Sequence, residues 1–154
     1  MELEIHRLNL TSPLYYIPAK QHDPFGGRGE TEYVPGREEL FCFELDLTQY
    51  RSFEPDKEKL LGNLAAGGEA VGGAPGPAHG TENNIFELPR GNYLFAQKRE
   101  ICGREKIITM AIEIQQEGLW QRLIPSEKLY LRFLYEDGSR VTQLFRPYIE
   151  PGKE

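Results

Sequence analysis

Arg132 and Gln143 are the side chains in this sequence best suited to hold a polar group. A guanidinium is a fixed fork of donors that matches a carboxylate, phosphate or carbonyl. A glutamine amide beside it adds a donor and an acceptor. Apolar and aromatic residues flank the two: Tyr130, Leu134, Val141 and Phe145. The pair reads either as a ligand clamp or as a solvent-facing cross-strand contact. Tyr130 and Phe145 read as a lining or as ordinary sheet packing, and Tyr93 as a groove residue or a core tyrosine. Trp120, the only tryptophan, either covers one end of a groove or seals the end of a helix. Glu44 and Asp46 would stand about 7 Å apart on one face of a strand. Paired carboxylates can do acid–base work; otherwise these two form the wet side of an amphipathic strand. His6, His22 and His79 share no ligand spacing with each other or with Cys42 and Cys102, so no metal or cofactor is expected. Gly26-Gly27-Arg28-Gly29 lacks the lysine and hydroxyl residue of a phosphate loop and reads as a turn.

What positions Arg132 and Gln143 is the stretch Leu129–Tyr148, two alternating runs around Asp137-Gly138. Asp-Gly suits a two-residue type I′ turn, whose central positions both need positive φ. With that turn, Tyr135 faces Arg140, Phe133 faces Thr142, Leu131 faces Leu144 and Leu129 faces Arg146. On the other side Leu134 meets Val141, Arg132 meets Gln143 and Tyr130 meets Phe145. The first side carries an apolar stripe fit to bury. Upstream, Glu105–Gly118 is an amphipathic helix with Ile107, Ala111 and Ile114 on one stripe, Ile108 and Ile112 beside it, and Gly118 as its C-terminal cap. Asn84–Lys98 holds a turn at Pro89–Gly91 and a strand from Asn92.

The first half is less regular. Glu2–Leu10 alternates as an opening strand, and Pro13–Ala19, bounded by prolines, reads as an edge strand. Gln21–Gly36 is a loop by its glycines and prolines. Glu39–Tyr50 alternates cleanly, with Phe41, Phe43, Leu45 and Leu47 sharing a face. Pro55–Leu64 reads as a short helix. Ala65–Asn83 is rich in Gly, Ala and Pro and reads as a flexible insertion within a single domain of residues 1–154. Helix over one face of an antiparallel sheet makes the fold class α+β.

Composition narrows the function. The net charge is −6, yet residues 1–83 carry 7 basic and 14 acidic side chains against 11 and 10 in residues 84–154. Neither half has the basic stripe that nucleic-acid binding requires, so no nucleic-acid partner is expected. No segment has a signal peptide's charged region and apolar block, and no apolar run approaches the roughly 20 residues that span a bilayer. A cytoplasmic protein with no membrane partner and two reduced core thiols is the expectation.

The order strand, helix, hairpin, together with Leu88-Pro89-Arg90-Gly91-Asn92-Tyr93-Leu94 and a closing strand Val141–Tyr148 that holds Gln143, Leu144 and Pro147, resembles the GyrI-like effector-binding family over residues 86–149. The resemblance implies two strand-helix-strand-strand modules about a pseudo-twofold axis, with helices on one sheet face and a ligand groove on the other. Residues 1–60 would supply the first module, though they show no long amphipathic helix between the first strands. Family members often place a glutamate on the first hairpin strand to meet cationic drugs. Counting back from Asp137, that position is Arg132; counting forward from Tyr130, it is Leu131. No acid stands at either. The resemblance implies a stand-alone binder of a small organic molecule, anionic or carbonyl-bearing if Arg132 faces the groove, with Arg132, Gln143, Tyr130, Phe145, Tyr93, Trp120 and Glu44 as candidate ligand contacts. One alternative is an interaction or inhibitor module whose acidic N-terminal half docks on a protein partner. Another is a small hydrolase using Glu44.

Overall fold

The two alternating runs form a hairpin, β8 (Lys128–Glu136) and β9 (Ser139–Ile149), in a computed structural model that describes residues 4–18, 37–50, 60, 63–71, 86–100, 102–136 and 139–151. The register is the one that alternation predicts: Tyr130 opposite Phe145, Leu131 opposite Leu144, Arg132 opposite Gln143, Phe133 opposite Thr142 and Tyr135 opposite Arg140. Asp137 and Gly138, the expected turn, lie outside the described residues.

The sheet grows from both sides of this hairpin. β9 pairs with β6 (Gly91–Lys98), which pairs with β1 (His6–Leu10); β8 pairs with β3 (Arg37–Glu44), then come β4 (Asn63–Val71) and β2 (Leu14–Pro18). Short β5 (Phe86–Leu88) pairs with β2, and β7 (Ile124–Pro125) adds to β9. Every pairing is antiparallel. Only residues 11–13 separate β1 from β2, and only Pro89 and Arg90 separate β5 from β6. The hydrogen-bonded path therefore returns on itself through β2, and the sheet has an inside and an outside. The pairing also repeats. The β1–β2 stretch pairs with β4 and β4 with β3, as β6 pairs with β9 and β9 with β8. The described strands of the two halves thus repeat one pairing order, as the two expected modules would. Residues 19–36, where the first would carry a helix, lie outside the described residues, as does the loop expected at 21–36.

Alternation sends successive side chains to the two sides of the ring, and each side has its own core. Outside, Phe41, Phe43, Leu94, Leu129, Leu131, Phe133 and Leu144 pack under Ile107, Ile108, Met110, Ala111 and Ile114 of α2 (Arg104–Trp120). Inside, Tyr16, Leu40, Cys42, Leu88, Tyr93, Tyr130 and Phe145 fill the ring. Full burial of side chains of this size is worth about 1.5–3 kcal/mol each. The cysteines are free and buried, Cys42 inside and Cys102 outside.

Several sequence expectations are corrected. β2 is not an edge strand: it pairs with both β4 and β5, and Tyr16 is fully buried. β3 stops at Glu44 because Asp46 accepts from the Thr48 N–H at 3.0 Å and the Thr48 hydroxyl at 2.5 Å, which starts the single helical turn α1 (Leu47–Tyr50). Residues 65–71 of the supposed flexible stretch belong to an interior strand, β4, held by ladder bonds to neighbours on both sides, which need no large side chain. Residues 72–83 lie outside the described residues. So do 55–59 and 61–62 of the expected helix 55–64, whose last two residues begin β4 instead. Gly118 is not the helix cap. α2 continues to Trp120 and ends with Leu123 N–H donating to the Gly118 carbonyl at 2.9 Å and Arg122 N–H to the Leu119 carbonyl at 3.0 Å, a Schellman closure. Gly118 instead admits its neighbours: a Cβ there would meet Leu94 Cδ1 at 3.0 Å and Pro125 Cγ at 3.1 Å.

The residue in the left-handed position of that closure is Arg122, at φ 61°. An L side chain there costs roughly 1–2 kcal/mol that glycine does not. Arg122→Gly is expected to raise the thermal midpoint by about 2–4 °C, read by circular dichroism; an unchanged midpoint would show that the turn carries no strain. Arg146 offers a second test. It is fully buried on the outer face, its Nε donates to the Ser126 carbonyl at 2.7 Å, and both Nη atoms lack a hydrogen-bond partner among the described residues. Burial pulls its pKa down to about 10, with Tyr50 opposing. A base with a depressed folded pKa binds its proton more weakly than in the unfolded chain, so its charge costs stability at every pH below about 10. Arg146→Met is expected to stabilise the protein by about 1–3 kcal/mol in urea unfolding at pH 7. Destabilisation would reveal a counter-charge beyond the described residues.

Candidate functional site

Arg132 points into the ring, as Leu131, fully buried against the outer core, points out. Around the guanidinium, side chains from five strands meet. Nη1 donates to Gln143 Oε1 at 3.1 Å, directly across the hairpin. Nη2 donates to Glu38 Oε1 at 2.6 Å, from the neighbouring strand β3, where Leu40 is the residue opposite Arg132. Nε donates to the Tyr16 hydroxyl at 2.8 Å, and that hydroxyl donates to the same Glu38 oxygen at 2.9 Å. Gln143 Nε2 donates to Gln97 Oε1 at 2.9 Å, one strand further along the sheet. Tyr16 lies on β2, which is no neighbour of β8 in the sheet, so its bond to Arg132 crosses the inside of the ring.

This cluster reaches solvent. The Arg132 and Glu38 side chains are 16% and 20% exposed, and Gln97 is exposed. Beside them lies a layer of rings. Tyr93 meets Tyr130 edge-on at 6.3 Å and Phe145 at 5.7 Å, and Phe95 meets Phe145 at 4.9 Å. The Tyr93 hydroxyl donates to the Pro89 carbonyl, across the turn where Gly91 takes φ 147°.

The electrostatics are those of a neutralised pair. Burial works against the Arg132 charge, but the pull of Tyr16 and Glu38 outweighs it and its pKa rises. Burial also lifts Tyr16 far above the ordinary tyrosine value, with Arg132 opposing and Glu38 adding. Tyr93 is pushed up to about 12, by burial first and then by Glu87 and Cys42. At neutral pH these hydroxyls keep their protons, so none serves as a base.

Of the residues singled out from sequence, Arg132 and Gln143 touch, and Tyr130, Phe145 and Tyr93 form the ring layer of the same interior. All three rings are buried, so of the two readings offered for each it is ordinary packing that the structure has, and not an open lining. Trp120 and Glu44 are not brought there. Trp120 ends α2 on the outer layer and is 84% exposed. Glu44 stands exposed at the end of β3, six residues from Glu38 and thus about 20 Å along the strand. Its supposed partner Asp46 has left the strand to cap α1, so no carboxylate pair forms. Sequence reasoning missed Glu38, Tyr16 and Gln97. Glu38 was legible in principle: it alternates with Leu40 and Cys42, two residues from each to the next, and so shares their face. Among the described residues no group of His, Cys, Asp and Glu could hold a metal ion. No family model matches the chain, and no curated protein matches it.

Removing one member of a desolvated ion pair leaves the other uncompensated, so the two losses should not add. A cycle of Glu38→Gln, Arg132→Met and the double variant is expected to show a coupling of about 1–3 kcal/mol in urea unfolding. Zero coupling would mean that solvent screens the pair. Tyr16, protonated in the folded state above pH 10, stabilises fully below the unfolded tyrosine value of 10.0 and loses that contribution as pH climbs toward its raised folded value. Tyr16→Phe should therefore flatten part of the alkaline fall in stability.

Proposed function

We propose that the chain is an effector-binding protein of the GyrI-like kind, which takes a small carbonyl-bearing organic molecule at the Arg132 cluster. The observation that carries the reading is the convergence of polar side chains from five strands on the inside of the ring. Polar groups cost free energy to bury and are often replaced by apolar residues without loss of stability. Their concentration beside aromatic rings, at a place solvent still reaches, is the usual composition of a small-molecule site. The repeated strand pairing and the helix confined to the outer side support the family reading.

Glu38 alters the ligand expected from sequence. Its carboxylate already compensates Arg132, which weakens the case for an anion and leaves the carbonyl. Glu44, remote and unpaired with Asp46, lends nothing to a hydrolase. Docking on another protein is the second reading, favoured by exposed Leu119, Trp120, Ile124 and Ile149 at the α2–β7 end. No described helix is long and apolar enough to cross a membrane.

Calorimetric titration of neutral aromatic ketones and amides into wild type, Arg132→Lys and Gln97→Ala tests the site. The expected result is binding to wild type that falls at least about tenfold in either variant, equivalent to roughly 1.4 kcal/mol. Equal affinity in all three would remove the cluster from the function.

A further inference from the structure

We infer that the interior cluster selects a neutral, flat group presenting an N–H donor beside a carbonyl acceptor, as in a lactam, a cyclic imide or an oxo-heterocycle. The inference rests on the ligand-binding reading above and adds the chemistry of the ligand.

It follows from which hydrogen-bonding positions the cluster leaves open. Glu38 Oε1 receives both Arg132 Nη2 and the Tyr16 hydroxyl; Oε2 accepts from none of the described residues. A guanidinium carries five N–H groups. Arg132 commits Nε to Tyr16 and one hydrogen on each Nη, to Gln143 and Glu38. One hydrogen remains on each Nη. Gln97 accepts from Gln143 through Oε1, and its own amide N–H groups have no acceptor among the described residues. The open set is thus one carboxylate oxygen adjoining several N–H donors. A cis-amide edge complements it, with its N–H toward Glu38 Oε2 and its carbonyl toward Arg132 Nη or Gln97 Nε2. The Phe95 ring, packed on Phe145 at 4.9 Å and itself only partly buried, extends the same inner face with apolar surface.

Charge excludes the two obvious competitors. A carboxylate ligand would face Glu38 at close range, and two carboxylates sharing a site cannot both ionise freely. An ammonium ligand would face Arg132 in the same way. The formal charges of Arg132 and Glu38 cancel, so a neutral ligand meets no net repulsion while its hydrogen bonds go to ionised partners, which are the stronger kind. A ligand with the carbonyl but no N–H leaves Glu38 Oε2 without a donor, and such omissions are what polar sites reject.

Four probes of one size separate these cases: quinolin-2(1H)-one, its N-methyl derivative, quinoline-2-carboxylate and quinolin-2-ylmethylammonium, each titrated into the full chain. Wild type should bind the lactam at least about tenfold more tightly than each of the others. Glu38→Gln keeps an acceptor for Tyr16 and Arg132 but removes the negative charge, so the preference should turn toward the carboxylate. Circular dichroism confirms that this variant is folded. N-methylated and free lactam binding alike, or wild type preferring the carboxylate or the ammonium, would overturn the inference while leaving a ligand site standing. Binding of none of the four would overturn both. Binding of the lactam that is unchanged in Glu38→Gln would also overturn it, because Glu38 would then have no part in selection.

Discussion

One hydrogen bond crosses the inside of the ring that the strand pairings close. The Tyr16 hydroxyl takes Arg132 Nε across the inside of the ring and passes its own proton toward Glu38. Arg132 lies in the second half of the chain, and Tyr16 and Glu38 lie in the first. The two halves are thus joined by charge-assisted contacts at one point as well as by strand pairing along β3–β8 and β1–β6. Because Glu38 Oε1 is shared by both donors, moving any one of the three side chains disturbs the other two. A cluster of that kind specifies one arrangement of the strands more sharply than an apolar core of the same volume.

The outer layer has a different logic. α2 lies on the sheet through a nearly continuous apolar stripe, with Gly118 letting Leu94 and Pro125 approach its backbone. Small contributions from ring and cation support it, such as Arg140 4.0 Å from the Phe133 ring and the Tyr135 hydroxyl donating to Glu39 at 2.8 Å. This layer supplies most of the burial, and the inner layer supplies the chemistry. Of the buried charged residues on this outer side, Arg146 is the one with both Nη atoms unsatisfied among the described residues, set among apolar neighbours.

Local patterning carried the second half of the chain. Alternation across Asp137-Gly138 is enough to set every pair of the hairpin, and the isoleucines of α2 announce its buried side. What local patterning cannot carry is closure. Whether β2 meets β5 and β4 depends on contacts distant in sequence, so the stretch at 14–18 looked like an edge although Tyr16 is among the most buried residues. β4 failed for the opposite reason: glycine and alanine lack the side chains that mark a strand in sequence, yet its backbone pairs with strands on both sides. The candidate site was half legible for the same reason. Arg132 and Gln143 are neighbours on one hairpin, whereas Glu38 and Tyr16 arrive from strands distant in sequence. The acid that meets Arg132 stands on β3, outside the hairpin.

The placement of the two thiols has a practical corollary. Cys42 sits inside the ring and Cys102 beneath the helical layer, and burial pushes both thiols up in pKa, so in the intact protein each is shielded from alkylating reagents. Labelling of Cys102 requires the helix to lift, and labelling of Cys42 requires the strands to part. Mass spectrometry of the two peptides would thus time the opening of each layer separately, with no reporter group added to the chain.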